Sequence, residues 1–440
     1  MRFRHPDGST VHLAYCTNVH PAETLDGVLA QLRDHCEPVR RRLGRDRLGI
    51  GLWLARDAAH SLTADPASLR ALRAELDRRG LEVVTLNGFP YEGFGADEVK
   101  YRVYQPDWTR PERLAHTTDL ARLLAALLPE DVTEGSVSTL PLGWRTPWTA
   151  TAAATARTAL STLAARLDAL EELTGKSIRI GLEPEPGCTV ETVADAVAAL
   201  TSPPGLRSPR IGVCLDTCHL ATSFEDPRTA LESLAAAGIA VPKAQLSAAL
   251  HAEHPHLPEV RAALAAFAEP RFLHQTRTRT AAGLRGTDDL PEALATRSHG
   301  PAATSGESPT ASPGASPAES PGASPAQASG ASPARPPGPD PGDTPGLPDA
   351  TPWRAHFHVP LHAPPAPPLA STLPVLRDTL ALLVGGPHPR TRHLEVETYT
   401  WQALPPDRRP RTRARLADGI AAELTLARDL LTDLGLKELP

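Results

Sequence analysis

Glutamates two residues apart close two apolar stretches of this chain. In Ile178-Arg179-Ile180-Gly181-Leu182-Glu183-Pro184-Glu185 the apolar residues share one face of an extended strand and both glutamates share the other. The same alternation runs through His393-Leu394-Glu395-Val396-Glu397-Thr398, Lys243-Ala244-Gln245-Leu246-Ser247 and His356-Phe357-His358-Val359. A further run, Ile211-Gly212-Val213-Cys214-Leu215-Asp216-Thr217-Cys218-His219-Leu220, sets an aspartate at a strand end with a histidine three residues on. That spacing offers a carboxylate and an imidazole to one centre. A buried carboxylate costs on the order of several kcal/mol unless it is paired or bound to a cation. Carboxylates that converge from several strands therefore call for a metal or a cationic partner. The alternative is an antiparallel sheet with one wet face, where such alternation is cheap.

The elements between these strands argue for convergence. Strand-like runs fall at 13–19, 48–54, 81–89, 135–143, 178–186, 211–220, 241–248 and 393–401. Helical patterns fall between them, at 23–43, 66–79, 111–128, 149–174, 190–201, 225–237 and 371–384, with a last one at 411–435. Strands that alternate with helices make βα units and a parallel sheet. Eight such units predict a closed (β/α)8 TIM barrel, whose sites lie at the C-terminal ends of the strands. The rival is an open doubly wound sheet, which would carry a glycine-rich turn after its first strand. Here that strand ends in Thr17-Asn18-Val19-His20-Pro21, without glycine. Two more strand-like pieces, 271–276 and 355–361, are expected to form a hairpin over the barrel mouth.

One tract stands apart. Residues 301–346 hold no aromatic or branched aliphatic side chain, and Ala-Ser-Pro recurs from positions 311, 315, 323 and 331. Such a composition has nothing to bury. We read 1–440 as one barrel domain carrying a disordered insertion at 299–350, before the last barrel strand. Excising 303–346 is then expected to leave the thermal midpoint nearly unchanged. Loop closure depends on the logarithm of length, so stability should move by roughly 1 kcal/mol. A midpoint lowered by about 10 °C would mean that the tract packs on the barrel.

The 440 residues are 41% hydrophobic and carry a formal net charge of −6. An acidic chain lacks the clustered positive charge of a nucleic-acid surface, so no nucleic-acid partner is expected. Arginines such as Arg40, Arg41 and Arg42 read as solvated helix faces. Cys16, Cys36, Cys188, Cys214 and Cys218 form no CxxC pair, which points to reduced thiols and a cytoplasmic location. The first ten residues are polar, without a secretory apolar region. No apolar run reaches the ~20 residues of a membrane span, so no direct membrane insertion is expected.

The segment Asp216-Thr217-Cys218-His219 resembles its counterpart in the endonuclease IV and xylose-isomerase-like barrel superfamily. The resemblance implies that Asp216 binds a divalent metal and that His219 binds metal or substrate. It also implies that Glu183 and Glu397, or Glu395 in its place, are ligands from the fifth and eighth strands. The usual seventh-strand histidine is Gln245 here, whose amide oxygen ligates a hard cation less tightly than an anion does. The expected ion is Mn²⁺, Mg²⁺ or Zn²⁺.

A closer resemblance covers most of the chain. Tyr15-Cys16-Thr17-Asn18-Val19-His20-Pro21, Thr85-Leu86-Asn87-Gly88-Phe89-Pro90-Tyr91 and Ser138-Thr139-Leu140-Pro141-Leu142-Gly143 are similar to segments of the metabolite traffic protein EboE family, TIM-barrel proteins of the Ebo cluster. So are Leu182-Glu183-Pro184-Glu185-Pro186, His356-Phe357-His358-Val359-Pro360-Leu361 and Glu395-Val396-Glu397-Thr398-Tyr399-Thr400-Trp401. The resemblance implies handling or export of a secondary-metabolite precursor, with other Ebo-cluster proteins as partners. Three functions follow as expectations. The first is a metal-dependent isomerase or epimerase of a sugar-like metabolite, with metal on Glu183, Asp216, Gln245 and Glu397 and with Glu183 and Glu397 as acid and base. His219, Lys243, His358 and Asn87 would orient hydroxyls, and Asn18 and His20 would contact substrate. Asn18 and Asn87 can equally serve turns or caps, and Lys243 a structural ion pair. The second is a non-catalytic carrier, and the third an endonuclease IV-like phosphoester hydrolase.

Overall fold

The computed structural model describes residues 1–202, 208–295 and 347–440. Eight parallel strands close into a barrel: β1 (Thr10–Cys16), β2 (Leu48–Trp53), β3 (Leu81–Asn87), β4 (Glu134–Thr139), β5 (Ser177–Leu182), β6 (Ile211–Asp216), β7 (Lys243–Leu246) and β8 (His393–Val396). Each strand pairs with the next, and β8 closes on β1 with Leu394 opposite Leu13 and Val396 opposite Tyr15. The closed (β/α)8 barrel expected from the alternation is the fold observed.

Strand parity dictates where the core lies. Ile178, Ile180 and Leu182 of β5 are fully buried and belong to the apolar layer between strands and helices. The alternate residues point into the barrel, and there the lining is polar. A Cβ on Gly51 of β2 would fall on the Glu395 carboxylate from β8, so glycine is what leaves room for that side chain.

Helices start where the sequence supplies caps. Thr24, Asp65, Thr149, Thr192, Asp226 and Thr412 each accept a hydrogen bond from an N–H of the first turn that follows. Local chemistry also shortens three expected strands. β1 stops at Cys16 and turns through a 3-10 segment, Thr17–Val19. β6 stops at Asp216, whose side chain accepts the His219 N–H and caps a helix at Thr217–Thr222. The Asp-Thr-Cys-His segment is therefore a strand end and a first helical turn. β8 stops at Val396, ahead of a 3-10 turn at Tyr399–Gln402. A helix at Arg56–Ala64 precedes the expected 66–79 helix.

The pieces expected at 271–276 and 355–361 are strand only at Thr276 and Ala355; the strands that pair antiparallel lie beside them, Thr276–Thr280 with Trp353–Ala355, inside a five-stranded sheet. Its order is Gly283–Thr287, Thr276–Thr280, Trp353–Ala355, Leu250–Ala252, Ala370–Ser371. The sheet is larger than the expected hairpin because Leu250–Ala252, which follows β7, adds on the other side of Trp353–Ala355 and carries Ala370–Ser371, while Gly283–Thr287 adds outside Thr276–Thr280. The insertion expected at 299–350 lies, as far as residue 346, outside the described residues. Among the described residues no helix is long and apolar enough to cross a membrane.

Candidate functional site

Glu183 follows β5, Asp216 ends β6, Gln245 lies in β7 and Glu397 follows β8. Carboxylate oxygens of Glu183, Asp216 and Glu397 all lie within 4.8 Å of one another, and all three residues are buried. Asp216 Oδ1 accepts from the His219 N–H at 2.8 Å and from the Ser247 hydroxyl at 2.8 Å, while Oδ2 is buried without a partner. Gln245 Nε2 donates to Glu183 at 3.4 Å, and Gln245 Oε1 is likewise buried without a partner. Burial and the neighbouring carboxylates raise Glu183 to about 7, against a pull down by His219, and raise Glu397 well above its ordinary range. Burial also pushes Asp216 upward, but His219, His358 and its two hydrogen bonds outweigh that and hold it low. Three carboxylates gathered within 4.8 Å, with a buried oxygen of Asp216 and one of the neighbouring Gln245 left without a partner, fit a divalent cation held by oxygen donors.

Beside them three imidazoles converge. His219 Nδ1 donates to the Pro184 carbonyl at 3.0 Å, and His358 Nδ1 to the Glu397 carbonyl at 2.6 Å. His356 Nδ1 donates to Gln275 Oε1 at 2.7 Å, and the Gln275 amide is oriented by donating to Tyr104 Oη at 2.8 Å and to Glu185 at 3.2 Å. With each Nδ1 proton so engaged, the three Nε2 atoms present lone pairs to one another. They lie 3.0 Å apart between His219 and His356 and 3.2 Å apart between His356 and His358. Facing lone pairs repel, and burial lowers His356 well below its usual range and His358 to about 4. Imidazoles locked through Nδ1 with Nε2 aimed at a common point are the arrangement of metal-ligating histidines. A nitrogen of His219 and one of His358 also lie within 4.8 Å of an Asp216 oxygen, so the aspartate belongs to both clusters.

The other expected residues divide by depth. Asn18 lines the cleft, with Oδ1 buried and unpartnered. Lys243 and Asn87 lie beneath the cleft and do not line it. Lys243 Nζ is 2.9 Å from Glu395 and 2.7 Å from Asn87 Oδ1, and Asn87 Nδ2 donates to Glu395 at 2.6 Å. Glu395 is thus paired inside the barrel, and Glu397 is the one in the carboxylate cluster. Glu185 is placed with His219 and His356 instead of with Asp216 and Glu397. His20 goes elsewhere: its ring stacks on His35 at 4.0 Å and lines a separate groove with Gln31 and Arg413. The strand ends at Cys16, and His20 follows the 3-10 turn at Thr17–Val19.

Gln275, Tyr104, Phe94 and Phe272 carry no motif of their own and escape a reading by strand parity. Tyr399 stands within a motif already noted, but its position over the histidines was not signalled. One tether shapes this end of the site. Glu423, buried in the helix Arg413–Asp433, accepts from the Leu361 N–H at 2.8 Å, the Thr398 hydroxyl at 2.7 Å and Trp401 Nε1 at 3.2 Å. It thereby joins the histidine segment to the turn after β8.

No curated protein matches the chain significantly. Among solved structures, D-allulose 3-epimerase from Methylomonas sp. is 17% identical, with 56% of this chain and 74% of that chain covered and a TM-score of 0.34. 3-Keto-D-glucoside 4-epimerase from E. coli is 14% identical, covering 53% and 78%, with a TM-score of 0.34. The IolI protein with a bound zinc atom is 15% identical, covering 51% and 67%, with a TM-score of 0.32. A family model described as xylose isomerase-like TIM barrel matches residues 44–265, half of the chain, across strands β2 to β7. With its eight-stranded barrel and carboxylates gathered at the strand ends, this chain belongs to the xylose isomerase-like TIM barrel family.

Proposed function

We propose that this barrel is a divalent-metal-dependent isomerase or epimerase of a hydroxy-carbonyl metabolite. The observation that carries the reading is the meeting of Glu183, Asp216 and Glu397, with Asp216 Oδ2 and Gln245 Oε1 buried and unpartnered. Glu183, Asp216, Gln245 and Glu397 would hold one ion, and His219, His356 and His358 beside Asp216 a second. A bound Mn²⁺, Mg²⁺ or Zn²⁺ supplies positive charge where an oxygen next to the reacting carbon turns negative. Glu183 and Glu397 act as the acid and base pair that moves the carbon-bound proton. Gln245 Nε2 holds Glu183 in place from below. Asn18 Oδ1 accepts from a substrate hydroxyl.

We further propose that the chain is a metabolite traffic protein of the EboE type. In that reading it is one domain over 1–440 with an insertion at 299–350, it acts in the cytoplasm with other Ebo-cluster proteins, and it handles a precursor bound for export. Gln245 at a position where the superfamily resemblance expects histidine favours a second reading, a carrier that binds without turnover. Deuterium exchange separates the two. In D₂O with Mn²⁺, the chain should place deuterium on the carbon beside the carbonyl of a ketose or hydroxyketone it accepts. The NMR signal should be lost in Glu183→Gln. Binding of the same compound without exchange would leave the carrier reading standing and sink the isomerase.

A further inference from the structure

The walls of the cleft differ from its floor. The floor is carboxylate, amide and imidazole, and the walls are Phe89, Phe94, Val99, Tyr104, Phe272 and Tyr399. Three of these rings pack on one another, and one of them reaches the histidines. Their centroids lie 5.3 Å apart for Phe94 and Phe272, 5.4 Å for Phe94 and Tyr399, and 5.1 Å for Phe272 and Tyr399. The Tyr399 ring is also 4.7 Å from the His358 ring. The three come from separate segments: the loop after β3, the stretch between β7 and β8, and the turn after β8. The space left beneath them is about 60 Å³, room for a few waters and no more. A substrate that reaches the floor needs more room than this, which the rings provide by giving up contacts with one another.

Parting the rings exposes aromatic faces to water, and the cost scales with the apolar area uncovered. A ligand with an apolar body covers those faces again. A wholly hydroxylated sugar covers them less well, through its C–H faces alone. Charge points the same way. Among the described lining residues Lys100 is the single lysine or arginine, and its ammonium is already paired with Asp289. A phosphate group needs free cationic donors, and apart from an ion held at the carboxylates the lining supplies none.

We propose that this cleft selects an uncharged substrate with a ring-sized apolar body behind its hydroxy-carbonyl end. Phe94, Phe272 and Tyr399 determine that specificity, because the apolar body takes over the contacts the three rings make with one another. The proposal rests on the reading above for the polar end alone. The test titrates 2-hydroxyacetophenone, dihydroxyacetone and dihydroxyacetone phosphate into the full chain by calorimetry, with and without Mn²⁺. The aryl ketone should bind about 30-fold more tightly than dihydroxyacetone, the expected return on burying one ring, and the phosphate should give no gain. Phe272→Ala should lower that ratio at least about fivefold, whereas Phe272→Leu, which keeps an apolar wall, should retain most of it. Equal or tighter binding of dihydroxyacetone or its phosphate overturns the proposal. So does an unchanged ratio in Phe272→Ala, or failure of the aryl ketone to bind at millimolar concentration. Absence of Mn²⁺ binding would sink metal dependence, while the ratio without metal still judges the apolar selection.

Discussion

Asp216→Asn should lower affinity for Mn²⁺ or Zn²⁺ by at least about 100-fold in calorimetry on chelator-treated protein, more than the loss of a supporting hydrogen bond to a ligand would cause. Asp216 stands within ligand distance of Glu183 and Glu397 on one side and of His219 and His358 on the other. Its removal therefore weakens both clusters. Asparagine is the informative substitution because its side-chain oxygen can still accept from the His219 N–H and the Ser247 hydroxyl. The cap of the helix Thr217–Thr222 then survives, and the thermal midpoint should stay within a few degrees. His356→Ala should affect the histidine cluster alone and leave the carboxylate site near wild-type affinity. Wild-type binding in Asp216→Asn would remove both assignments at once. Loss of binding in His356→Ala with retention in Asp216→Asn would place the metal wholly on histidine.

The second large effect concerns stability. Lys243→Met should destabilise the fold by about 3–5 kcal/mol, the usual consequence of leaving one partner of a buried pair uncompensated. Lys243 and Glu395 are fully buried inside the barrel, 2.9 Å apart. Burial alone would lower the lysine's pKa, but Glu395 overrides it and the net shift is upward. The double variant Lys243→Met with Glu395→Leu should recover most of the loss, since a matched apolar pair no longer buries a charge. Urea unfolding of the four proteins in the cycle measures the coupling. A cost under about 1 kcal/mol for Lys243→Met would show that the pair does not support the barrel.

That pair shows where local pattern stops. Alternation along a strand is a property of the backbone, so Glu183, Glu395 and Glu397 could be assigned to the inward face from neighbouring residues alone. Eight alternations of strand and helix likewise predicted the barrel, because each apolar face had to be buried against the next element. Depth within the barrel is a different quantity. Glu395 and Glu397 share one face of one strand, and what separates them is the register of β8 against β7 and the lysine that β7 presents. The same holds for Glu183 and Glu185, divided between carboxylates and histidines by what faces each of them. His20 lies away from the site, past the 3-10 turn that follows the strand end at Cys16. The convergence of His219 with His356, 137 positions away, and of Phe94 with Phe272 and Tyr399, depends on loops that carry no period. Inward chemistry follows from short-range geometry written along the chain. The grouping of that chemistry into a carboxylate centre, a histidine centre and an aromatic roof needed the closed barrel, because only closure brings distant strand ends to a common distance.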